Sequence, residues 1–348
     1  MMDLLKSSQY EWKDNLSAEE WDTILSKLNG HPLQSAQWGD SRKSSCGINY
    51  YRWVAFKGGI PVFLARLEER YYLKFFKIAW IPKGPVTLDY SDKVIEKEFL
   101  HQLKKKQFIL CVTNPWRRIE PINNINSYYY TVWIDLTVGK EKLWMNLQKQ
   151  CRNDIKRAKK LGVVISQSDS LDDLNAFYSI CERVSKSKGF SLGNAHNTMH
   201  HLLLNQYDCD SVKSHLFLAR YEGNICGGAF LMRCGEGVHY LWGAVDRNKY
   251  SHFCIGEALQ WGIIEWASDN NYKKYDLEGI SSKQNSGVDH FKKKLGGTII
   301  AYPNIQVYPL CFGRRFIAIL IKIYLFITPT IKMTLSSLKK EHKGVWGV

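Results

Sequence analysis

The order of elements is what most constrains how this chain folds, because one α/β cycle runs through it twice. The first pass opens with residues 17–29 (SAEEWDTILSKLN), an amphipathic helix with a Ser17/Glu20 capping box and a stop at Gly30. YYRWVAF (50–56) and IPVFLARLEER (60–70), joined by Lys-Gly-Gly, predict a β-hairpin. A strand over 77–89 runs into a Pro/Gly loop, 93–106 is helical, 107–116 is a buried strand, and 128–136 is a further strand. The second pass has a helix over 140–162, a strand over 163–167, and helices over 171–189 and 196–207. Three antiparallel strands follow within 214–245, turning at Glu-Gly-Asn and Cys-Gly-Glu-Gly, then a helix over 254–271 and a strand over 272–280. The pattern predicts two α/β units duplicated in fold, without visible residue-level repetition.

The 348 residues accommodate two domains, and a 45% hydrophobic content supplies a sizeable core. A net charge of +15 attracts nucleic acid, an anionic membrane or phosphorylated substrates without choosing among them. Nine cysteines, odd in number and without CxxC spacing, predict reduced thiols in a cytosolic protein. The start, MMDLLKSSQYEWKDN, has no apolar signal core, so a cytoplasmic location is expected. The segment FGRRFIAILIKIYLFITPTIK (312–332) has an apolar run too short to span a bilayer and broken by Lys322. It is expected to be a core helix packed on the first unit, the alternative being an interfacial helix on the cytoplasmic face of the membrane.

No Ser/His/Asp arrangement, Walker loop, metal-ligand set or carboxylate pair stands out. His200 and His201 lack a third ligand and read as surface or core. Four stretches carry candidate chemistry. In HPLQSAQWGDSRK (31–43) a helix begins after Pro32, with Trp38 on its inner face and Arg42 one turn beyond; free amides and an arginine suit a phosphate. In 142–163, Lys149, Arg152, Lys156, Arg157, Lys159 and Lys160 surround a helix, which fits either a polyanion or a solvated face. YLWGAV (240–245) presents Tyr240 to a cleft or to the core. YDLEGI (275–280) and GVDHFKKKLGG (287–297) deliver an acidic strand end followed by a lysine, an arrangement suited to anionic substrates. Asp276 and Glu278 are expected to face opposite sides of their strand and so to form no dyad.

QSAQWGDSR (34–42), IPKGPV (81–86), WIDLTVGKEKLWMNLQKQCRNDIKRAKKLGV (133–163), YLWGAV, YDLEGI and GVDHFKKKLGG, in this order over nearly the whole chain, resemble the Fem family of aminoacyl-tRNA-dependent peptidyltransferases. The resemblance implies two tandem GNAT-like domains without a coiled-coil arm. The first would be 1–137 plus about 303–335, binding a UDP- or lipid-linked precursor. The second, 138–302, would take the aminoacyl donor. It further implies transfer of an amino acid from aminoacyl-tRNA, without a cofactor, to an amine of a peptidoglycan or related cell-envelope glycan precursor. Arg42 with Lys43 beside it, Trp38, Lys188 of SKSKGF, Tyr240 and Glu278 would bind substrate. Lys292 would steady the tRNA 3′ end or the oxyanion; the acceptor amine would lose its proton to a water or to a carboxylate such as Asp289. The family often has Lys where this chain has Arg42, and Arg where it has Lys188, which changes phosphate geometry. Two alternatives remain. An acyl-CoA N-acyltransferase is disfavoured because DRNKYSHFCIGEAL (246–259) lacks the spaced glycines of a pyrophosphate loop. A non-enzymatic RNA- or membrane-binding module explains the charge but not the motif order.

Overall fold

The computed structural model describes residues 9–72, 75–116, 128–207, 210–280 and 286–310. The first half runs β1 (Glu11–Lys13), α1 (Ala18–Lys27), α2 (Ala36–Cys46), β2 (Tyr50–Lys57), β3 (Ile60–Tyr72), β4 (Phe76–Ile81), β5 (Val86–Thr87), α3 (Lys93–Lys105) and β6 (Leu110–Thr113). The second runs β7 (Tyr128–Asp135), α4 (Lys140–Asn146), α5 (Lys149–Lys160), β8 (Val164–Ser168), α6 (Leu171–Lys188), α7 (Ala195–Leu204), β9 (Val212–Tyr221), β10 (Asn224–Cys234) and β11 (Gly237–Val245). It continues through α8 (Arg247–Tyr250), α9 (Ile255–Asp269), β12 (Lys274–Ile280), α10 (Gly287–Lys293), β13 (Thr298–Pro303) and β14 (Gln306–Pro309).

Local chemistry sets most boundaries. Ser17 and Glu20 form the expected capping box of α1. The Ser35 hydroxyl accepts from Trp38 N at 3.0 Å to start α2, and Gly47, at φ 64°, stops it. Gly58 and Gly59, both at positive φ, make the tight turn between β2 and β3.

Two sheets result. The first has the order β1-β2-β3-β4-β6-β14, with β5 on β3; the second has β13-β7-β12-β11-β10-β9-β8. Each contains one parallel pair, β4/β6 and β11/β12. The chain makes each crossover through helices, α3 in the first and α9 in the second. Ile95, Phe99 and Leu103 of α3 pack on Trp53, Phe63 and Ala65 of the first sheet. Ile155 and Ala158 of α5 join Leu259 and Ile263 of α9 on the second. A third apolar cluster spans both units: Trp21, Leu25 and Trp38 meet Phe177, Met199, Leu216 and Phe230. Continuous burial of this kind binds the units through the hydrophobic effect.

Two expectations change. The strand at 128–136, grouped with the first unit, lies inside the second sheet, antiparallel to both β12 and β13. Its Val132 and Ile134 belong to that sheet's core, so burial decides its place. The single helix over 140–162 is two helices, because Leu147 is extended (ψ 142°) and Gln148 N donates to Lys294 O at 3.0 Å. The segment 312–332 lies outside the described residues. Among the described residues no helix is long and apolar enough to cross a membrane.

Candidate active site

The second sheet opens at its parallel pair. β11 and β12 are paired only at Gly237↔Lys274, Val238↔Tyr275 and His239↔Asp276. Beyond that point β11 stays with β10 as far as Val245, and β12 stays with β7 as far as Ile280. β12 is also irregular there: its register on β7 shifts between Asp276 and Gly279, and Glu278 has φ 59°. A gap at the carboxyl ends of parallel strands is where α/β sheets receive ligands.

A buried polar cluster lies at this divergence. Glu278 Oε1 accepts from His31 Nε2 at 2.7 Å and lies 3.3 Å from His239 Nδ1. Its Oε2 accepts from Lys83 Nζ at 3.1 Å and from the Tyr129 hydroxyl at 3.3 Å. Asp276 accepts from Trp133 Nε1 at 2.8 Å, from the Thr131 hydroxyl, and from Glu278 N at 2.8 Å. The expectation that Asp276 and Glu278 face apart is therefore corrected. Residues two apart on a strand share a face, and here both carboxylates enter one cluster.

The charges follow from the contacts. Burial would raise the Glu278 carboxyl, but Lys83, His31 and the imidazole hydrogen bonds outweigh it and hold it well below the usual range. Asp276 is pushed up by its burial and by the Glu278 charge. Burial holds His31 well below its ordinary value, against the pull of Glu278. The Leu33 amide donates to His31 Nδ1 at 3.1 Å, so the proton of the neutral ring is on Nε2, directed at Glu278. His31, His239 and Glu278 bring donor atoms within 4.8 Å of one another, the spacing of a metal site. The protonated Nε2 of His31 and the adjacent Lys83 ammonium make the cluster a hydrogen-bonded anion site instead.

Lys292, on α10, donates to Glu278 O at 3.1 Å and Gly279 O at 2.8 Å, on the β12 backbone just past the divergence. Burial lowers it to about 8, opposed by Glu278, Asp276 and Asp289. Asp289 has a capping duty: its N–H donates to Ser286 Oγ at 3.1 Å, and its Oδ2 accepts from Ser286 N at 2.9 Å.

Of the residues singled out in the sequence, Asp276, Glu278 and Lys292 come together in this cluster, with Asp289 beside it on α10, and Trp38, Arg42, Lys43, Lys188 and Tyr240 lie elsewhere. Trp38 is buried and stacked on Trp242, 5.7 Å between centroids, as part of the inter-unit core. Arg42 is half-buried and Lys43 exposed on α2. Arg42 acts electrostatically on Glu68, which also pairs with buried Arg66 and with Arg70. Tyr240 is half-buried, its hydroxyl lying over Gly243, where a Cβ would be 1.7 Å away. Lys188 is exposed in the last turn of α6. His31, Lys83, Tyr129 and His239 were not anticipated as site residues. His31 and Lys83 did sit inside motifs that were noted, HPLQS and IPKGPV.

A family model, the acetyltransferase (GNAT) domain, matches residues 145–293. The UDP-N-acetylmuramoylpentapeptide-lysine N(6)-alanyltransferase of Weissella viridescens is 26% identical over 133 residues, 38% of this chain and 38% of that protein. The aminoacyltransferase FemA of Staphylococcus epidermidis is 31% identical over 101 residues, 27% of this chain and 24% of its own. The crystal structure of FemX matches with a TM-score of 0.74 at 16% identity, covering 88% of this chain and 100% of that one. The chain has the tandem-GNAT fold and is similar, over part of its length, to Fem-family aminoacyltransferases. It matches well under half the length of each of the two curated relatives. The divergent pair and Lys292 both fall within the matched GNAT domain.

Proposed function

We propose that the chain is an aminoacyltransferase that moves an amino acid from aminoacyl-tRNA to an amine of a peptidoglycan precursor or a related cell-envelope glycan precursor. The observation that carries this reading is the Lys292 ammonium held against the β12 backbone at the mouth of the divergent pair. The names of the Weissella and staphylococcal relatives, an alanyltransferase on a UDP-linked pentapeptide and an aminoacyltransferase, support the same chemistry.

An aminoacyl ester is already activated, so transfer needs placement and charge stabilisation more than a covalent nucleophile. The acceptor amine attacks the ester carbonyl, a C–N bond forms, and the C–O bond breaks to release the tRNA 3′ hydroxyl. An ammonium has three donors. Two of those on Lys292 go to the Glu278 and Gly279 carbonyls, and the third, without a partner among the described residues, would meet the developing oxyanion. The amine's proton passes by way of water to the leaving 3′ oxygen, since Asp289 is engaged as a cap and Glu278 is held too acidic to accept it. Arg42 and Lys43 on α2 would hold the precursor's diphosphate, with Lys188 and Tyr240 contacting substrate from the second unit. Contact of 312–332 with the membrane face would bring the protein to a lipid-linked acceptor.

Acyl-CoA as donor is the second reading. Against it, Glu257 lies in the first turn of α9, where a pyrophosphate would sit, and pairs with Lys294. Purified protein would be given labelled aminoacyl-tRNAs or labelled acetyl-CoA, with a crude extract of nucleotide- and lipid-linked sugars as acceptor. RNase-sensitive transfer from tRNA is expected. Transfer from acetyl-CoA alone would replace this reading with the second.

A further inference from the structure

Two residues at the divergence hold backbone conformations that L-amino acids rarely adopt. Lys83 has φ 52° and Glu278 has φ 59°. Most other non-glycine residues of this kind have ordinary places: Asn29, Gln107 and Asn271 follow helices, and Glu222 is in a hairpin turn. Lys83 sits in the turn that follows β4, and Glu278 at the bulge of β12. They come from different units, and their side chains form an ion pair of 3.1 Å across the junction. Paired outliers of this kind persist where surrounding contacts over-determine them, often at functional sites.

Those contacts are in place. His31, reaching in from the turn before α2, grips the other oxygen of Glu278 and is itself fixed by the Leu33 amide. Asp276 Oδ1 accepts from Glu278 N, so the peptide of Glu278 is held from both ends. Lys83 also lies over the rings of Tyr129, at 4.2 Å, and Trp116, at 5.3 Å. The result is a fixed direction for the carbonyls of Glu278 and Gly279, the two acceptors of the Lys292 ammonium.

We propose that Glu278 is a positioning residue for transfer: Lys83 and His31 of the first unit clamp it, and it in turn aims the carbonyls that seat Lys292. The precursor-side unit thereby sets the placement and protonation of the donor-side lysine. This rests on the aminoacyltransferase reading for its activity arm alone.

The charged and titratable groups around Lys292 are Glu278 and Asp276 of β12, Asp289 of α10 and Lys83 of the β4 loop, with Tyr129 of β7 and Tyr302 of β13 beside the carboxylates. Glu278 favours the ammonium and Lys83 opposes it. Glu278→Gln and Lys83→Met should therefore move Lys292 in opposite directions, the first down and the second up. The test is competitive acetylation by acetic anhydride across pH, with Lys292 followed by mass spectrometry in the full chain. It reads protonation whether or not transfer is detected. The wild-type midpoint should be near 8. A wild-type midpoint at the ordinary lysine value near 10.4 overturns the proposal even where a variant fails to fold. Equal midpoints in all three proteins, or shifts of the same sign, also overturn it. In the transfer assay, Glu278→Gln should lower kcat about tenfold with the donor KM little changed, the mark of an interaction made in the transition state. Absence of any wild-type transfer would count against the donor and acceptor assignment and leave the acetylation result standing.

Discussion

The two parallel strand pairs occupy equivalent places in the two sheets, yet one is closed and the other open. β4 and β6 stay in register from Ile78↔Leu110 to Ile81↔Thr113, and a Gly84↔Asn114 bridge continues beyond them. β11 and β12 separate after three pairs. On the other side of β4, Gln34 locks β3 to the residue just past β4: its side chain accepts from Arg66 N at 2.8 Å and donates to Arg66 O at 3.0 Å and to Pro82 O. The open end has a bulged β12 and a cluster of charges in place of such a lock. A duplicated fold has thus become asymmetric: one parallel pair stays closed, and the other leaves a gap beside a lysine. The closed unit still serves the gap, since Lys83 lies just past β4, next to the Pro82 carbonyl that Gln34 holds.

The comparison breaks most decisively at Lys292. Lys292→Ala should lower transfer by at least about tenfold, the scale of one lost oxyanion or charge contact, while circular dichroism and the unfolding temperature stay near wild type. Unchanged transfer would remove the open end from the chemistry. Next in size is the contact that joins the units. Trp38→Ala should cost about 3–5 kcal/mol in denaturant unfolding, because it empties a packed site between α2 and β11. A smaller loss would mean that the two halves are stabilised separately.

Gln34→Ala tests the lock between β3 and the residue just past β4. It strips partners from Arg66 N and two carbonyls and should cost about 1–3 kcal/mol; no loss would show that backbone pairing alone holds β3 against β4. The pH profile is the finest measure. Burial places the Lys292 pKa below that of an unfolded lysine, so its ammonium is present below about 8 and lost as pH rises through that value. Transfer that needs the ammonium should decline on the alkaline side with a midpoint near 8; a rate rising through that pH would make Lys292 act as a neutral amine.

Much of the fold could be read from local chemistry, because caps and tight turns are decided within a few residues. The Ser17/Glu20 box, the Gly58-Gly59 turn and the β9–β11 meander are all where the residues predicted them. The break at Leu147 was hidden, since nothing near it is a helix breaker and the partner that holds Gln148 is Lys294. The sheet membership of β7 was hidden for the same kind of reason: an apolar strand next to two units does not say which one will bury it.

The candidate site divides in the same way. The sequence by itself marked Glu278 and Lys292, because a strand end, a loop and a lysine are consecutive along the chain. It also determined the α/β alternation and the two-unit architecture, through periodicity and turn chemistry. Only the tertiary structure brought His31 to Glu278 across 247 positions and Lys83 across 195. The same is true of the opening of β11 from β12. The physical reason is that the charge state and orientation of a buried group depend on what surrounds it in space, and packing supplies those surroundings after the local elements have formed.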